Sequence, residues 1–352
     1  MMAALGGCVV DDVPEPEQDV AVGAIGGGGP CPDQICGENS PVIDTLGFHE
    51  QNLLGLLNKE GFFIHPAKAP AQIVKANVSY DLNVKDGHIS ASQNGVTILR
   101  GRALEGSTIT IQRLLTKYTL RIREVRKMQY FLPPYDTIEA YRLEWARVGD
   151  DNFRNLCGGV QLLIDEGLGG GNGKVVSPEL MNMEIWEAVV FEGDRINSAN
   201  MTMSKAANDM WFNIGCAASL PAKMLLTHHT VHSQVLPMAR AWEQRQAQLK
   251  LYAAAYCPSG ESFTVARQKL VWKSASVPYH APPWKLEARW NESGAMCLNN
   301  PRMLYPSTAL GPVYFPNIGV ALAAANCNPP PCANLDPNDL ERADRISSNP
   351  VP

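Results

Sequence analysis

The chain has 352 residues, with 30 Lys and Arg against 35 Asp and Glu; it is 45% hydrophobic, only 18% charged, and holds nine cysteines. That length can bury one large core or two ordinary ones, and the composition excludes disorder throughout. A net charge of -5 gives no basic field for phosphate backbones, and no stretch approaches the roughly 18 apolar residues of a spanning helix, so nucleic-acid partners and transmembrane helices are not expected.

The first element is a motif. Leu5-Gly6-Gly7-Cys8 resembles a bacterial lipobox, an apolar residue and two small ones before the cysteine that takes the lipid. The residues before Leu5 are too few for a charged region and an apolar core, so the true start is expected upstream of Met1. Residues 9–38, with Asp11, Asp12, Glu15, Glu17, Asp19 and the run Gly26-Gly27-Gly28-Gly29-Pro30, read as a flexible acidic linker. Together these predict a membrane partner reached through a lipid on Cys8, and Val9 after the cysteine favours the outer membrane.

Setting Cys8 aside leaves an even set: Cys31, Cys36, Cys157, Cys216, Cys257, Cys297, Cys327 and Cys332. Zinc usually takes two close Cys-x2-Cys pairs, and none occurs here. In an exported protein disulfides are the expected use of such cysteines. The short spacings predict Cys31 bonded to Cys36 and Cys327 to Cys332, with two more bridges among Cys157, Cys216, Cys257 and Cys297. Four cysteines permit three pairings, so that connectivity stays open.

Residues 39–94 are expected to form a β-rich segment packed on a main domain over 95–326. In the first of these, Leu53, Leu54, Leu56, Leu57, Phe62, Phe63 and Ile64 are interrupted by Gly55 and Gly61, which argues against one long helix. Period-two alternation then marks strands: Ile109 and Ile111 against Thr108 and Thr110, and Tyr118, Leu120 and Ile122 against Thr119, Arg121 and Arg123. The same pattern recurs in Tyr141, Leu143 and Trp145, and in Leu286, Ala288 and Trp290 against Lys285, Glu287 and Arg289. Asn291-Glu292-Ser293-Gly294 is a hairpin turn leading to Cys297. Met238, Trp242, Leu249, Tyr252 and Tyr256 lie on one helical face, predicting a helix from about Pro237 to Tyr256. Residues 327–352 read as a proline-rich tail, mostly disordered past Cys332. The expected fold class is mainly β with one or two packed helices, a β-rich α+β protein braced by disulfides.

Few residues suggest chemistry. Gly167-Leu168-Gly169-Gly170-Gly171-Asn172-Gly173-Lys174 fails the phosphate-loop spacing, with Leu168 and Val175 in the wrong places. Asp81, Asn83 and Asp86 imitate part of a calcium loop, but Lys85 and Gly87 break it. His228 and His232 would share a helix face and are weak zinc candidates, but no Glu follows His228 to serve as a base. Asp165, Glu166, Glu184, Glu187, Glu192 and Asp194 could serve acid and base roles, although nothing in the sequence pairs them. No metal or other cofactor is expected, and no residue is singled out as catalytic.

Tyr252-Ala253-Ala254-Ala255-Tyr256-Cys257, followed by Ser259-Gly260-Glu261-Ser262-Phe263-Thr264, resembles the ADYC domain of exported myxobacterial proteins, named for an Ala-Asp-Tyr-Cys motif. Asn155-Leu156-Cys157-Gly158, Phe212-Asn213-Ile214-Gly215-Cys216, Ala222-Lys223 and the stretch from Glu287 to Leu298 resemble further family segments in the same order, from about Gly95 to Arg302. Ala255 stands where the name-giving Asp belongs, and Met224 where the family has a cysteine. The resemblance implies an exported or envelope protein with a binding or scaffolding domain whose protein or small-molecule ligand is undefined. The alternative is an exported, hydrolase-like enzyme whose site is assembled from residues distant in sequence.

Overall fold

The computed structural model describes residues 40–67, 69–130, 136–157, 183–184, 186–197, 200–204, 210–217, 219–231, 233, 241–260, 271–274, 284–299, 301, 322, 327–334 and 345–350. Its centre is a meander of three strands, β9 (Thr108–Arg113), β10 (Thr116–Gln129) and β11 (Thr137–Arg147), set by the alternation of their side chains. Tyr118 lies opposite Ile111 on one side and Arg147 on the other, so the apolar residues of all three strands share a face. Ile109, Ile111, Leu120, Ile122, Tyr141 and Leu143 are all buried there. Arg123 falls at a register shift between Ile122 and Glu124, where the longest strand bends.

Among the described residues, eight strands precede the meander. They are β1 (Val42–Ile43), β2 (Leu46–Gly47), β3 (Glu50–Asn52), β4 (Phe62–Ile64), β5 (Gln72–Lys75), β6 (Val78–Lys85), β7 (His88–Gln93) and β8 (Val96–Arg100). The interruption expected at Gly55 falls between β3 and β4, where a Cβ would stand 2.6 Å from the Ala67 Cα. After the meander come β12 (Arg154–Asn155), β13 (Glu187–Glu192), β14 (Arg195–Asn197), β15 (Thr202–Ser204) and β16 (Trp211–Cys216). One antiparallel sheet runs β3-β16-β13-β11-β10-β9-β5-β6-β7-β8, with β12 on β11 and β4 on β9. The sheet curls back on itself: the carboxylate of Glu192 on β13 accepts from Asp86 N, and Tyr141 OH on β11 accepts from Ile89 N, both at 2.8 Å.

Period two predicts one buried face per strand, but β11 and β13 are buried on both. Val190 belongs to a core inside the curled sheet, while its neighbours Val189 and Phe191 belong to a second core on the other face. Two helices cover that second face. The first, α1 (Leu220–Leu226), is capped by the Ser219 side chain and lies close on β16, where a Cβ on Gly215 would come 2.5 Å from Ala222 N. Met224 is fully buried there.

The second helix, α2 (Trp242–Ala253), is shorter than expected, because Ala254 turns left-handed at φ +49° and ends it. It also lacks the solvated face that its apolar stripe implied: Arg245, Gln246, Gln248 and Lys250 are buried as well. Each has a partner in the fold, as described below for Arg245 and Lys250; Gln246, for example, accepts from Met203 N and donates to Met201 O.

A smaller antiparallel sheet packs on α2, in the order β17 (Val271–Ser274), β20 (Arg345–Pro350), β18 (Trp284–Asn291), β19 (Gly294–Leu298). The hairpin expected at Asn291 to Gly294 is present, with Asn291 opposite Gly294. The tail departs from its expectation of disorder, since Arg345–Pro350 forms an inner strand between β17 and β18. The protein is mainly β with two packed helices among the described residues. No described helix is long and apolar enough to cross a membrane.

Candidate functional site

The residues of the Ala-Asp-Tyr-Cys-like motif, Ala254 to Cys257, form the corner between α2 and the small sheet. The left-handed turn at Ala254 lets Ala255 N donate to Lys250 O at 2.9 Å, closing the helix and sending the chain outward. Tyr256 then stacks on Trp290, with ring centroids 5.3 Å apart, and its hydroxyl donates to Glu287 Oε1 at 2.7 Å. Glu287 alternates with apolar neighbours and reads as solvent-facing. The structure buries it completely, at a register shift between Leu286 and Ala288 against β20. Tyr256 O accepts from Ala295 N at 3.0 Å, and a Cβ on Gly294, at φ +136°, would come 2.7 Å from that carbonyl oxygen. Only glycine allows the hairpin to lie this close. Ala255 is itself fully buried, so a carboxylate at this position would need a buried partner.

Two disulfides lock the corner. Cys257 is bonded to Cys327 and Cys297 to Cys332. This corrects the expected Cys327 to Cys332 bridge and, with it, the expectation of two bridges among Cys157, Cys216, Cys257 and Cys297, of which only one forms. Leu298 N donates to Pro330 O, and Cys332 N donates to Asn299 Oδ1 at 2.8 Å. The segment thus lies along β19, with each cysteine facing a separate partner. The third bridge, Cys157 to Cys216, joins the residues after β12 to the end of β16 and is one of the pairings left open. Cys8, Cys31 and Cys36 lie outside the described residues, as do the glycine-rich stretch 167–174, Asp165, Glu166 and His232.

Lys250, one turn before the corner, is 1% exposed, and its Nζ donates to Asn200 O at 3.1 Å and Pro258 O at 3.4 Å. No described carboxylate lies within ion-pair distance, and burial lowers its pKa to about 8. Lys250 belongs to no motif or spacing that marks it in the sequence.

The histidines do not form the helical pair expected of them. α1 stops at Leu226, and His228 takes φ +61°. His228 stacks on Tyr130 at 4.2 Å, while His229 Nδ1 lies 3.0 Å from Thr227 Oγ1. That contact has the spacing of a nucleophile and base, and the hydroxyl has two further partners. Thr227 Oγ1 donates to Lys223 O at 2.7 Å and accepts from Tyr252 OH at 3.0 Å. The hydroxyl thus has a helix carbonyl and a tyrosine as partners besides the imidazole, the pattern of a structural hydrogen-bond network. Among the described residues no three His, Cys, Asp or Glu side chains come close enough to hold a metal ion.

Three of the carboxylates that the sequence left unpaired, Glu187, Glu192 and Asp194, have structural partners. Glu187 binds the Arg126 guanidinium through two bonds of 2.6 Å and also accepts from Glu184 N. Glu192 receives the backbone of the β6–β7 turn. Asp194 pairs with Arg245 at 2.5 Å, both side chains being at most 5% exposed. Asp81 and Asn83 lie along β6, where they bond to Gln72 and Ser92. Next to Asp194, Arg195 binds Glu50 at 2.7 Å and lies over the Trp211 ring at 3.7 Å. These arrangements tie strands and helices together through the same carboxylates that the sequence offered for acid and base roles.

No curated protein and no solved structure matches the chain. Residues 101–304 match the ADYC domain, and this span covers the meander, both helices and the corner at Cys257. The chain belongs to the ADYC domain family.

Proposed function

We propose that this is an exported protein of the cell envelope, anchored by a lipid on Cys8, whose ADYC domain binds or scaffolds a partner instead of catalysing a reaction. The observation that carries the export reading is the set of three disulfides, which join segments 59, 70 and 35 residues apart. Such bonds persist in oxidising compartments and are reduced in the cytosol. Lipobox-like Leu5-Gly6-Gly7-Cys8, followed by acidic, glycine-rich sequence, supports the anchor. The binding reading is supported by titratable side chains that are used in structural pairs.

The test is mass spectrometry of the native protein together with fractionation of its host. The expected result is a mature N-terminus at Cys8 carrying lipid, in the outer-membrane fraction. An unmodified Met1, or free thiols at the six bridged positions in the native protein, would overturn the export reading.

A further inference from the structure

The turn between β9 and β10 is an unusual place for two leucines. Leu114 is 75% exposed and Leu115 97%. Val148, 58% exposed, lies beside them at the end of β11, where its N–H donates to Lys117 O. Leu114 also has φ +51°, in the left-handed region that bulky side chains rarely adopt. The other two-residue hairpin turns among the described residues use Asp44-Thr45, Ala76-Asn77, Asp86-Gly87, Asn94-Gly95 and Glu292-Ser293, the polar or small residues such turns favour. A Leu-Leu tip therefore costs stability twice, through backbone strain and through exposed apolar surface, with no compensating contact inside the fold.

We propose that the Leu114-Leu115 tip, with Val148 beside it, is where this domain dips into a lipid bilayer. The proposal rests on the envelope reading for the presence of a membrane, and it names the end of the domain that meets it. Three observations favour lipid as the occupant. The tip is a two-residue turn with one further apolar side chain, whereas a stable protein interface needs about 800 Å² from each partner, so a soft surface suits it better than a protein. The described chain also starts within a few residues of this end: Ser40 is four residues before the β1–β2 turn at Asp44, which pairs with Arg147 at 2.6 Å next to Val148. A chain tethered ahead of Ser40 could thus present the tip to the membrane that holds it. The charges around the tip, Arg113, Lys117 and Arg147 against Asp44, Asp150 and Asp151, cancel, which leaves the leucines as the attractive part.

The test uses the full chain with Cys8→Ser, so that no lipid is attached, in flotation with phosphatidylcholine vesicles at low and high salt. The expected result is binding at both, weakened about tenfold or more in Leu114→Asn/Leu115→Gly. Asn-Gly suits the turn, so this variant should keep its disulfides and melt no lower than the parent. The proposal is overturned if the Cys8→Ser chain does not float, or if the turn variant floats equally well. It is also overturned if the tip instead pairs two copies, seen as a dimer in ultracentrifugation that the variant abolishes without any vesicle binding. The native N-terminus tests the anchor separately, since a chain that lacks lipid but binds vesicles through its tip would refute the anchor alone.

Discussion

The Tyr256 hydroxyl donates to Glu287 Oε1 at 2.7 Å, with Tyr256 1% exposed and Glu287 0%. This bond holds the corner of the family motif against β18. Tyr256→Phe keeps the ring stacked on Trp290 but removes a donor from a buried carboxylate. It is expected to cost about 1–3 kcal/mol, read as a lower urea midpoint with an unchanged slope. Glu287→Gln, which can still accept from the hydroxyl, should cost less than Tyr256→Phe. Equal losses would show that the bond does not hold the corner.

The disulfide pattern predicts the result of a non-reducing digest: Cys257 linked to Cys327, Cys297 to Cys332 and Cys157 to Cys216. A peptide joining Cys327 directly to Cys332 would contradict the architecture of the corner. Loops of 35 to 70 residues correspond to about 4 kcal/mol each in the chain-entropy view. Replacing both Cys257 and Cys327 by Ala is therefore expected to lower stability by roughly 2–4 kcal/mol.

The alternation along β9 and β10 was legible in the sequence, because one face of each strand packs against a core and period two records that. Burial of the opposite face of β11 and β13 was not legible, since it depends on helices that return from far along the chain. Lys250 and Glu287 show the limit most clearly. Each occupies a position that pattern assigns to solvent, and each is buried beside partners dozens of residues away in sequence or in a register shift. The short Cys327 to Cys332 spacing misled for a related reason, as proximity in sequence says nothing about which strand a segment lies along. The motif segments were legible as a family because their order was kept, while their chemistry was set by tertiary contacts.

Asp194 and Arg245 are 51 residues apart and meet in the interior. Removing one member of a buried pair leaves the other charge stranded, so Asp194→Asn is expected to cost about 3–5 kcal/mol, measured by denaturant unfolding. A double-mutant cycle with Arg245→Met should show strong coupling, the double variant being more stable than the two single losses imply. Additive losses would mean that the two side chains act independently.

Lys250 predicts a pH dependence of opposite sign to that of an ordinary ion pair. Its folded pKa is lowered to about 8 by burial, while in the unfolded chain it titrates at the ordinary 10.5. Below pH 8 the amine is charged in both states, and the folded protein bears the full cost of burying that charge. As pH rises from 8 towards 10.5, the folded state loses its proton first and the cost disappears, so stability increases across this window. Allowing for screening, the gain is about 1–2 kcal/mol. The measurement is the difference in unfolding free energy between the parent and Lys250→Met at pH 7, 8, 9 and 9.5, which cancels the titration of other groups. The parent should gain on the variant as pH rises, and a flat difference would show that the Lys250 amine keeps its ordinary affinity for protons inside the fold.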